Sequence, residues 1–301
     1  MPHCNRSRHP DQGGRQSACD LSDRFRAGSQ SAPFRLESAF NLNNGTVQSQ
    51  ASFFNRASYV GLSNPAWGTL SVGGQLSDES AMAISSDGFL ANGHYSISAF
   101  LSGYVDLGYG ANVDLSRVNN SISYTTPNFG PFSANLFYAL KSNQTVGPRT
   151  KNASVTLSYA SSKNVATASY SQNYCDADPS SSTPCLHDTT IEPSVRTDDA
   201  LLSYLHDFGA FTGAEKLISR NLLRASVGYR DTTQMGNHAW GATLGEDYFL
   251  SKRTSLYAPI GFLKNGPKSA QIYNFGATDA FPVPAMSKSV VWTTVGVLHN
   301  F

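Results

Sequence analysis

The histidines are the side chains of this sequence best suited to acid–base catalysis or metal binding. They are scattered, without the short spacings of metal-ligand pairs, at His3, His9, His94, His187, His206, His238 and His299. The sequence contains no G-x-S-x-G elbow, P-loop or C-x-x-C motif. We therefore expect neither an enzyme nor a metal site nor a cofactor. A hydrolytic Ser–His pair on facing strands is a disfavoured alternative that the abundance of serine leaves untestable.

Two cysteines bracket a short polar stretch, CDADPSSSTPC. A disulfide between Cys175 and Cys185 would require an oxidising compartment such as the periplasm or the cell surface. Two unpaired thiols are an equally weighted alternative. The pair is therefore a candidate disulfide and no more.

The charged residues form two candidate groups. Arg224 and Arg230 alternate with an apolar row in the segment LLRASVGYR, so both arginines lie on its polar face. The second group is a set of acids within residues 76–117, namely Asp78, Glu79, Asp87, Asp106 and Asp114. Since 22 Lys and Arg nearly balance 21 Asp and Glu, we expect no nucleic-acid partner.

From residue 34 onward, apolar and polar residues alternate with period two, which is typical of β-strands. In ASVTLSYA, for example, Val155 and Leu157 lie opposite Thr156 and Ser158. Helical spacing of apolar residues is not sustained. We predict an all-β fold of about twelve antiparallel strands, near residues 34–42, 53–62, 67–75, 118–126, 132–140, 153–160, 164–172, 199–207, 221–230, 239–250, 254–264 and 290–301.

The connections between these strands alternate between short and long. Tight turns would lie at one rim of the sheet and extended loops at the other, as in up-and-down transmembrane β-barrels. The mean hydropathy of −0.29 is compatible with a membrane barrel, because each spanning strand needs only about ten residues with every second side chain apolar.

Residues 1–33 differ from the rest of the chain. The segment is polar, rich in arginine and without periodicity, so we expect it to be disordered. We expect the barrel domain to occupy residues 34–301. An exported barrel needs a secretory signal, and no apolar signal core is present, which suggests a misplaced start or a damaged gene.

The chain ends in an alternating segment, VVWTTVGVLHNF. Its last residue, Phe301, shares a face with Val295 and Val297. An aromatic ring at this position suits the girdle at a membrane interface. We predict that Phe301 is a C-terminal membrane-insertion signature.

Five segments carry a resemblance to a known family: FRLESAFNLNNGT, FNRASYVGLSNPAWGTLSVGGQ, RVNNSISYTTPNFGPFSANLFYAL, DYFLSKRTSLYAPIGFLKNG and VGVLHNF. The sequence resembles the general porins of Gram-negative bacteria, of the trimeric type common in beta-proteobacteria. The resemblance implies a barrel of about sixteen strands, an inward-folded third long loop and three barrels per assembly. Two strands before residue 34 and one hairpin after residue 207 are missing here, and the loop corresponds to residues 76–117.

The resemblance also implies a pore constriction, in which the acids of the loop face basic residues on the wall. The matching wall residues are Arg117, within an R-x-N-N motif, and Arg56. Arg224 and Arg230, in the segment LLRASVGYR, are two further candidate wall residues. Arg56 shares its parity with outward residues, so a β-bulge is needed to turn it inward. Where the family has Gly-Arg-Gln, this chain has Gly73-Gly74-Gln75. The alternative is that all these charges are ordinary solvated rim and loop residues.

Glu246 stands out on an otherwise apolar row, between Leu244 and Tyr248. A carboxylate is tolerated on that face near a rim or at a subunit contact. Taken together, the sequence predicts a homotrimeric porin in the lipid of the bacterial outer membrane, which passes ions and small hydrophilic solutes. The alternative is a truncated, non-conducting remnant or a structural surface barrel.

Overall fold

The computed structural model describes residues 16–41, 46–47, 53–78, 81, 117–140, 149–176, 194–210, 220–232, 237–251, 253–270 and 285–299. Fourteen β-strands are found within these ranges. In chain order they are β1 (Gln16–Ala27), β2 (Gln30–Asn41), β3 (Ala57–Asn64), β4 (Gly68–Leu76), β5 (Arg117–Thr125), β6 (Phe132–Ala139), β7 (Arg149–Ala160), β8 (Asn164–Asp176), β9 (Ser194–Ala210), β10 (Arg220–Thr232), β11 (Asn237–Phe249), β12 (Thr254–Asn265), β13 (Ser289–Thr293) and β14 (Gly296–His299).

All these strands belong to one sheet whose spatial order follows the chain from β1 to β13, and every neighbouring pair is antiparallel. Strand β14 also pairs with β12. The strand ends joined by residues 77–116, 177–193 and 266–288 lie at one rim of the sheet, and turns such as 28–29, 65–67 and 161–163 lie at the other. No helix in the described part of the chain is long and apolar enough to cross a membrane.

Strands β13 and β14 form one strand position, interrupted opposite Pro259. Ile260 faces Thr293 and Tyr257 faces Gly296, so the register is the same on both sides of the interruption. Pro259 accepts a hydrogen bond from the Thr294 amide at 3.2 Å but has no N–H to return one. The ladder therefore breaks at this point without a slip.

The two faces of the sheet differ in polarity. On β10, Val227 and Tyr229 are exposed on one face, whereas Arg224, Ser226 and Arg230 are buried on the other. The exposed rows of the other strands are likewise apolar, and the opposite rows are rich in Ser, Thr, Asn and charged residues. An apolar outer face and a polar inner face define an up-and-down transmembrane β-barrel.

Each of the twelve predicted strand stretches coincides with a strand, but the expectation that residues 1–33 are disordered is wrong for residues 16–33. Strand β1 pairs with β2 through a two-residue turn at Gly28 and Ser29, where Gly28 adopts a φ of 61° as a type II′ hairpin requires. The sheet therefore has thirteen strand positions instead of twelve. Polar residues on both faces of β1 hid the alternation.

A β-bulge in β5 corrects a second prediction. The alternation predicts that Val118 shares the face of Ile122, yet Val118 is buried on the inner side. The register shifts between Gly73 and Gln75 of β4, so that Asn119 and Asn120 occupy the place of one residue. Asn120 has a φ of 54°, a conformation that Asn tolerates better than most residues.

Candidate pore lining

A chain of ion pairs links the inner faces of β1, β2 and the start of β3. Arg35 contacts Asp20 at 3.1 Å and Glu37 at 3.0 Å, and Glu37 also binds the Arg56 side chain at 2.7 Å. We call these four residues the Glu37 network. Glu37 thus serves two arginines, and a carboxylate has enough acceptor positions for both.

Arg56 reaches the inner face through a local irregularity. Ala57 faces Glu37 in the register of β2 and β3, while the Arg56 amide also donates to the Glu37 carbonyl oxygen at 3.1 Å. Arg56, just before β3 begins, therefore bonds to the same residue that Ala57 faces, and its side chain departs from the alternation of β3 and turns inward to Glu37. Arg117 donates from Nη1 to the Arg56 carbonyl oxygen, so the structure brings these two predicted wall arginines together.

The other two predicted wall arginines lie across the sheet on β10, with different partners. Arg224 pairs with Asp247 of β11 at 2.8 Å. Arg230 lies 3.8 Å from Asp199 of β9, which also accepts a hydrogen bond from Asn173 at 2.9 Å. We call these the β10 pairs. Both arginines point inward, as their alternation predicted, but neither joins the Glu37 network.

Asp78 is the second residue after β4, and its side chain reaches past β5. Its carboxylate accepts a hydrogen bond from the Asn135 amide of β6. Burial raises the pKa of Asp78 to about 6, against the opposing effect of hydrogen bonds from Asn135, Ser154 and Thr156. Because Thr156 is buried on the inner face of β7, the first residues after β4 lie against the inside of the wall.

Several predicted site residues fall outside the described part of the chain. They are the acids Glu79, Asp87, Asp106 and Asp114, the cysteine Cys185 and the terminal residue Phe301. The predicted Cys175–Cys185 disulfide therefore has one partner outside these residues. Within the described ranges, no group of three or more metal-ligating side chains is present.

The sequence reasoning missed the carboxylates that hold the wall arginines, as well as Arg35 itself. Arg35 and Glu37 alternate with Phe34 and Leu36 in the segment FRLES, so parity alone could have placed them on the inner face. The sequence indicates the roles of Asp199 and Asp247 less clearly, because their pairing with the arginines of β10 can be predicted only when the register between the strands is known. Asp20 lies in the segment that was expected to be disordered.

A concave cavity of about 460 Å³ adjoins the Glu37 network. Its lining combines charged, hydroxyl and aromatic groups: Asp20, Ser22, Asp23, Arg24, Pro33, Phe34, Arg35 and Tyr59. This region of the wall therefore presents charged groups to an open space, as a hydrophilic passage requires.

An apolar exterior and a charged, polar interior on an up-and-down barrel define a membrane channel. Residues 26–268 match the model of the Gram-negative porin family, and the chain belongs to that family. It is an outer-membrane porin, a passive diffusion channel for ions and small hydrophilic solutes.

Two curated relatives and one solved structure illustrate the similarity. The chain is 29% identical over 273 residues to outer membrane porin protein 32 of Delftia acidovorans, covering 82% of this chain and 74% of that protein. It is 30% identical over 113 residues to an outer membrane porin of Bordetella pertussis, covering 37% and 27%. The anion-selective porin of Comamonas acidovorans superposes with a TM-score of 0.57 at 24% identity, over 96% and 91% of the two chains.

Glu246 is exposed on the outer face of β11, between Leu244 and Tyr248 as its parity predicted. It lies two residues from Tyr248 at the short-turn rim. Aromatic residues mark the interface between lipid and water, so the carboxylate stands close to that interface. A position near a rim, where a carboxylate is least costly, agrees with this placement.

Proposed function

We propose that Arg117 and the two arginines of the Glu37 network, Arg35 and Arg56, form the basic side of the pore constriction, and that the acids of residues 76–117 face them. The observation that carries this proposal is the position of Asp78. It lies on the inner side of the wall, beyond β5, at the start of that segment. The segment therefore enters the barrel interior at its first residues, which supports the inward fold that the resemblance implies.

Such a constriction acts without moving parts. Fixed charges of opposite sign on facing surfaces orient dipolar solutes and change the local concentrations of cations and anions. In this chain, the wall arginines of the Glu37 network and the β10 pairs are each held by a carboxylate. A wall whose charges are compensated in this way favours weak selectivity between anions and cations.

Conductance across a planar lipid bilayer tests the proposal. The refolded full chain should give stable conductance steps and a small reversal potential in a potassium chloride gradient. Membrane-inserted protein without conductance would contradict a channel and favour a non-conducting remnant. A strong cation preference would contradict the role of Arg35, Arg56 and Arg117 as the basic side of the constriction.

A homotrimer within outer-membrane lipid is the second part of the proposal. It rests on the resemblance of the sequence to the trimeric porins and on the apolar outer face, which offers surface both to lipid and to neighbouring copies. Mass measurement in detergent should give three times the chain mass of 32.4 kDa. A monomeric species that conducts would contradict the trimer and leave the channel intact.

A further inference from the structure

The sheet ends at two edge strands that run in the same direction. Within the described residues, β1 pairs with β2 alone, and the strand position formed by β13 and β14 pairs with β12 alone. Because thirteen antiparallel positions follow one another, the first and the last both run from the long-loop rim to the short-turn rim. In a barrel these two edges face each other, and we call the place where they face the seam.

The backbone of β1 presents every second residue to the seam. Ala27 and Gln30 close a two-residue hairpin, so these two residues exchange backbone hydrogen bonds. Bonded and non-bonded pairs alternate along an antiparallel ladder. The odd-numbered residues of β1 therefore bond to β2, and the even-numbered ones point to the seam. The Arg24 amide agrees with this direction, since it donates to the Asp23 carboxylate at 2.7 Å.

The opposite edge alternates in the same way. The Thr294 amide donates to the Pro259 carbonyl oxygen of β12 at 3.2 Å. The even-numbered residues of this strand position therefore bond to β12, and the odd-numbered backbone groups point to the seam. The odd-numbered side chains lie on the outer face, where Val291, Val295 and Val297 are exposed.

One antiparallel strand matches both edges of the seam. The even-numbered side chains of β1 point inward, as the ion pair of Asp20 with Arg35 shows. An added strand would therefore bond to β1 through its inward residues and to the other edge through its outward residues. A strand bonds to its two neighbours in this alternating order, so the two requirements agree. One further strand also makes the number of positions even, as in bacterial outer-membrane barrels.

The side chains around the seam determine which strand fits it. On the outer face, Leu21 and Phe25 of β1 are exposed, as are the three valines of the opposite edge. On the inner face, Asp20, Ser22 and Arg24 line the cavity of about 460 Å³. A fitting strand therefore has apolar residues outward and polar or small residues inward. Residues 1–15, MPHCNRSRHPDQGGR, have no alternate row that is apolar.

We propose that the seam binds an extended, amphipathic strand of another polypeptide, antiparallel to both edges. About ten residues of this strand cross the membrane, from the short-turn rim to the long-loop rim. Main-chain hydrogen bonds to both edges supply the affinity, and the alternation of apolar and polar side chains supplies the specificity. The added strand also pairs edge groups that lipid cannot satisfy. This inference goes beyond the diffusion channel, because it assigns the protein a polypeptide partner.

Binding of a synthetic strand by the intact protein tests the proposal. The full chain is refolded into phosphatidylcholine nanodiscs with the peptide NLLRASVGYR, which copies residues 221–230 and has the required alternation. Native mass spectrometry should show one peptide per chain. A control peptide with Ser226→Pro and Val227→Pro lacks one N–H toward each edge. It should bind more weakly, by about fivefold for each N–H removed.

A photoreactive residue in place of Val227 of the peptide locates the binding site. Cross-links should fall on β1 and on β13 or β14. Cross-links to β9 and β11 would overturn the proposal, because the peptide would then have exchanged with β10 of the protein.

A variant of the protein edge tests the same bonds from the other side. Ser22→Pro removes an N–H that points to the seam, at an edge position where proline is tolerated, and should weaken binding by about fivefold. Ser22→Ala keeps this N–H and should bind like the wild type. Equal binding of the alternating peptide and the proline peptide would overturn the proposal. Absence of binding by the full chain would also overturn it and leave the channel function intact.

Discussion

The Glu37 network and the β10 pairs both hold arginines with carboxylates on the inner wall, yet they differ in exposure. In the Glu37 network, the side chain of Arg35 is 41% exposed and that of Asp20 is 24% exposed, whereas those of Arg56 and Glu37 are 12% and 7% exposed. In the deepest β10 pair, the Arg230 and Asp199 side chains are each 2% exposed. The same chemical pairing therefore exists in two different dielectric surroundings.

This difference predicts two different roles. A charge near water interacts with passing ions, and its removal costs little folding free energy. A charge buried with its partner is shielded from passing ions, and the loss of its partner leaves it without compensation. The exposed part of the Glu37 network, Arg35 and Asp20, should therefore govern ion preference, and the β10 pairs should govern the stability of the wall.

The largest effect is expected for Asp199→Asn. It leaves the Arg230 guanidinium buried without its carboxylate, so the free energy of unfolding should fall by about 3 kcal/mol. Urea-induced unfolding in lipid vesicles measures the change. Asp198→Asn is the matched control, because Asp198 lies on the outer face of the same strand and its bond to Tyr170 is exposed. A loss for Asp198→Asn as large as that for Asp199→Asn would show that burial does not set the contribution of the pair.

Asp247→Asn should have an intermediate effect. The side chains of Arg224 and Asp247 are each 10% exposed, and they approach within 2.8 Å. The loss of this charged hydrogen bond should cost about 2 kcal/mol. The reversal potential should also move slightly toward anions. Unfolding and bilayer recordings on one preparation measure both changes, and a stability loss above that of Asp199→Asn would refute the ranking by burial.

Glu37→Gln should change ion preference and also lower the free energy of unfolding by about 2 kcal/mol, because the Arg56 and Glu37 side chains are only 12% and 7% exposed. Of the three ion pairs in the network, the substitution removes the pair of Glu37 with Arg56 and the pair of Glu37 with Arg35. The pair of Arg35 with Asp20 remains. One added positive charge near water changes the energy of an anion by about 1 kcal/mol, or roughly fivefold in the permeability ratio. The reversal potential measures this change.

Glu246→Gln is the control for Glu37→Gln, since Glu246 is exposed on the outer face of β11 between Leu244 and Tyr248. It should leave the reversal potential unchanged. High salt should shrink the effect of Glu37→Gln, because the exposed charges are screened. Salt-independent selectivity in Glu37→Gln would show that the network is not open to the lumen.

The comparison also shows what the sequence alone could reveal. Strict alternation located twelve of the strands and the inward direction of Arg224 and Arg230, because side-chain parity is a local property. Strand β1 escaped because Asp20, Asp23 and Arg24 are spread over both of its faces. The partnership of Arg230 with Asp199 depends on the register of β9 and β10, which no local pattern specifies.

Local irregularities mark a second limit of sequence reasoning. The parity of Arg56 showed that the alternation had to be interrupted before this residue could face inward, but not that it is interrupted. At Asn119 and Asn120, the bulge reversed the predicted direction of Val118. A bulge is set by hydrogen bonds to the neighbouring strand, so its position is a property of the pair of strands.

The smallest effect is expected from the titration of Asp78, which belongs to neither group. Its pKa is raised from 3.8 to about 6, so the carboxyl becomes neutral as the pH falls through about 6. One negative charge then leaves the inner face, and the permeability ratio should move toward anions by about twofold, less than for a more exposed charge. Reversal potentials recorded between pH 5 and pH 7 measure this movement.

Asp78→Asn should abolish that pH dependence and hold the channel near its low-pH ion preference. The raised pKa of Asp78 also affects stability, because the folded chain binds this proton more tightly than the unfolded chain does. The protonated carboxyl therefore stabilises the fold at low pH, and this stabilisation is lost as the pH rises through about 6. Asp78→Asn should therefore be more stable than the wild type above pH 6. If the variant retains the pH-dependent reversal potential, the titrating group lies elsewhere and Asp78 does not contribute to the field at the constriction.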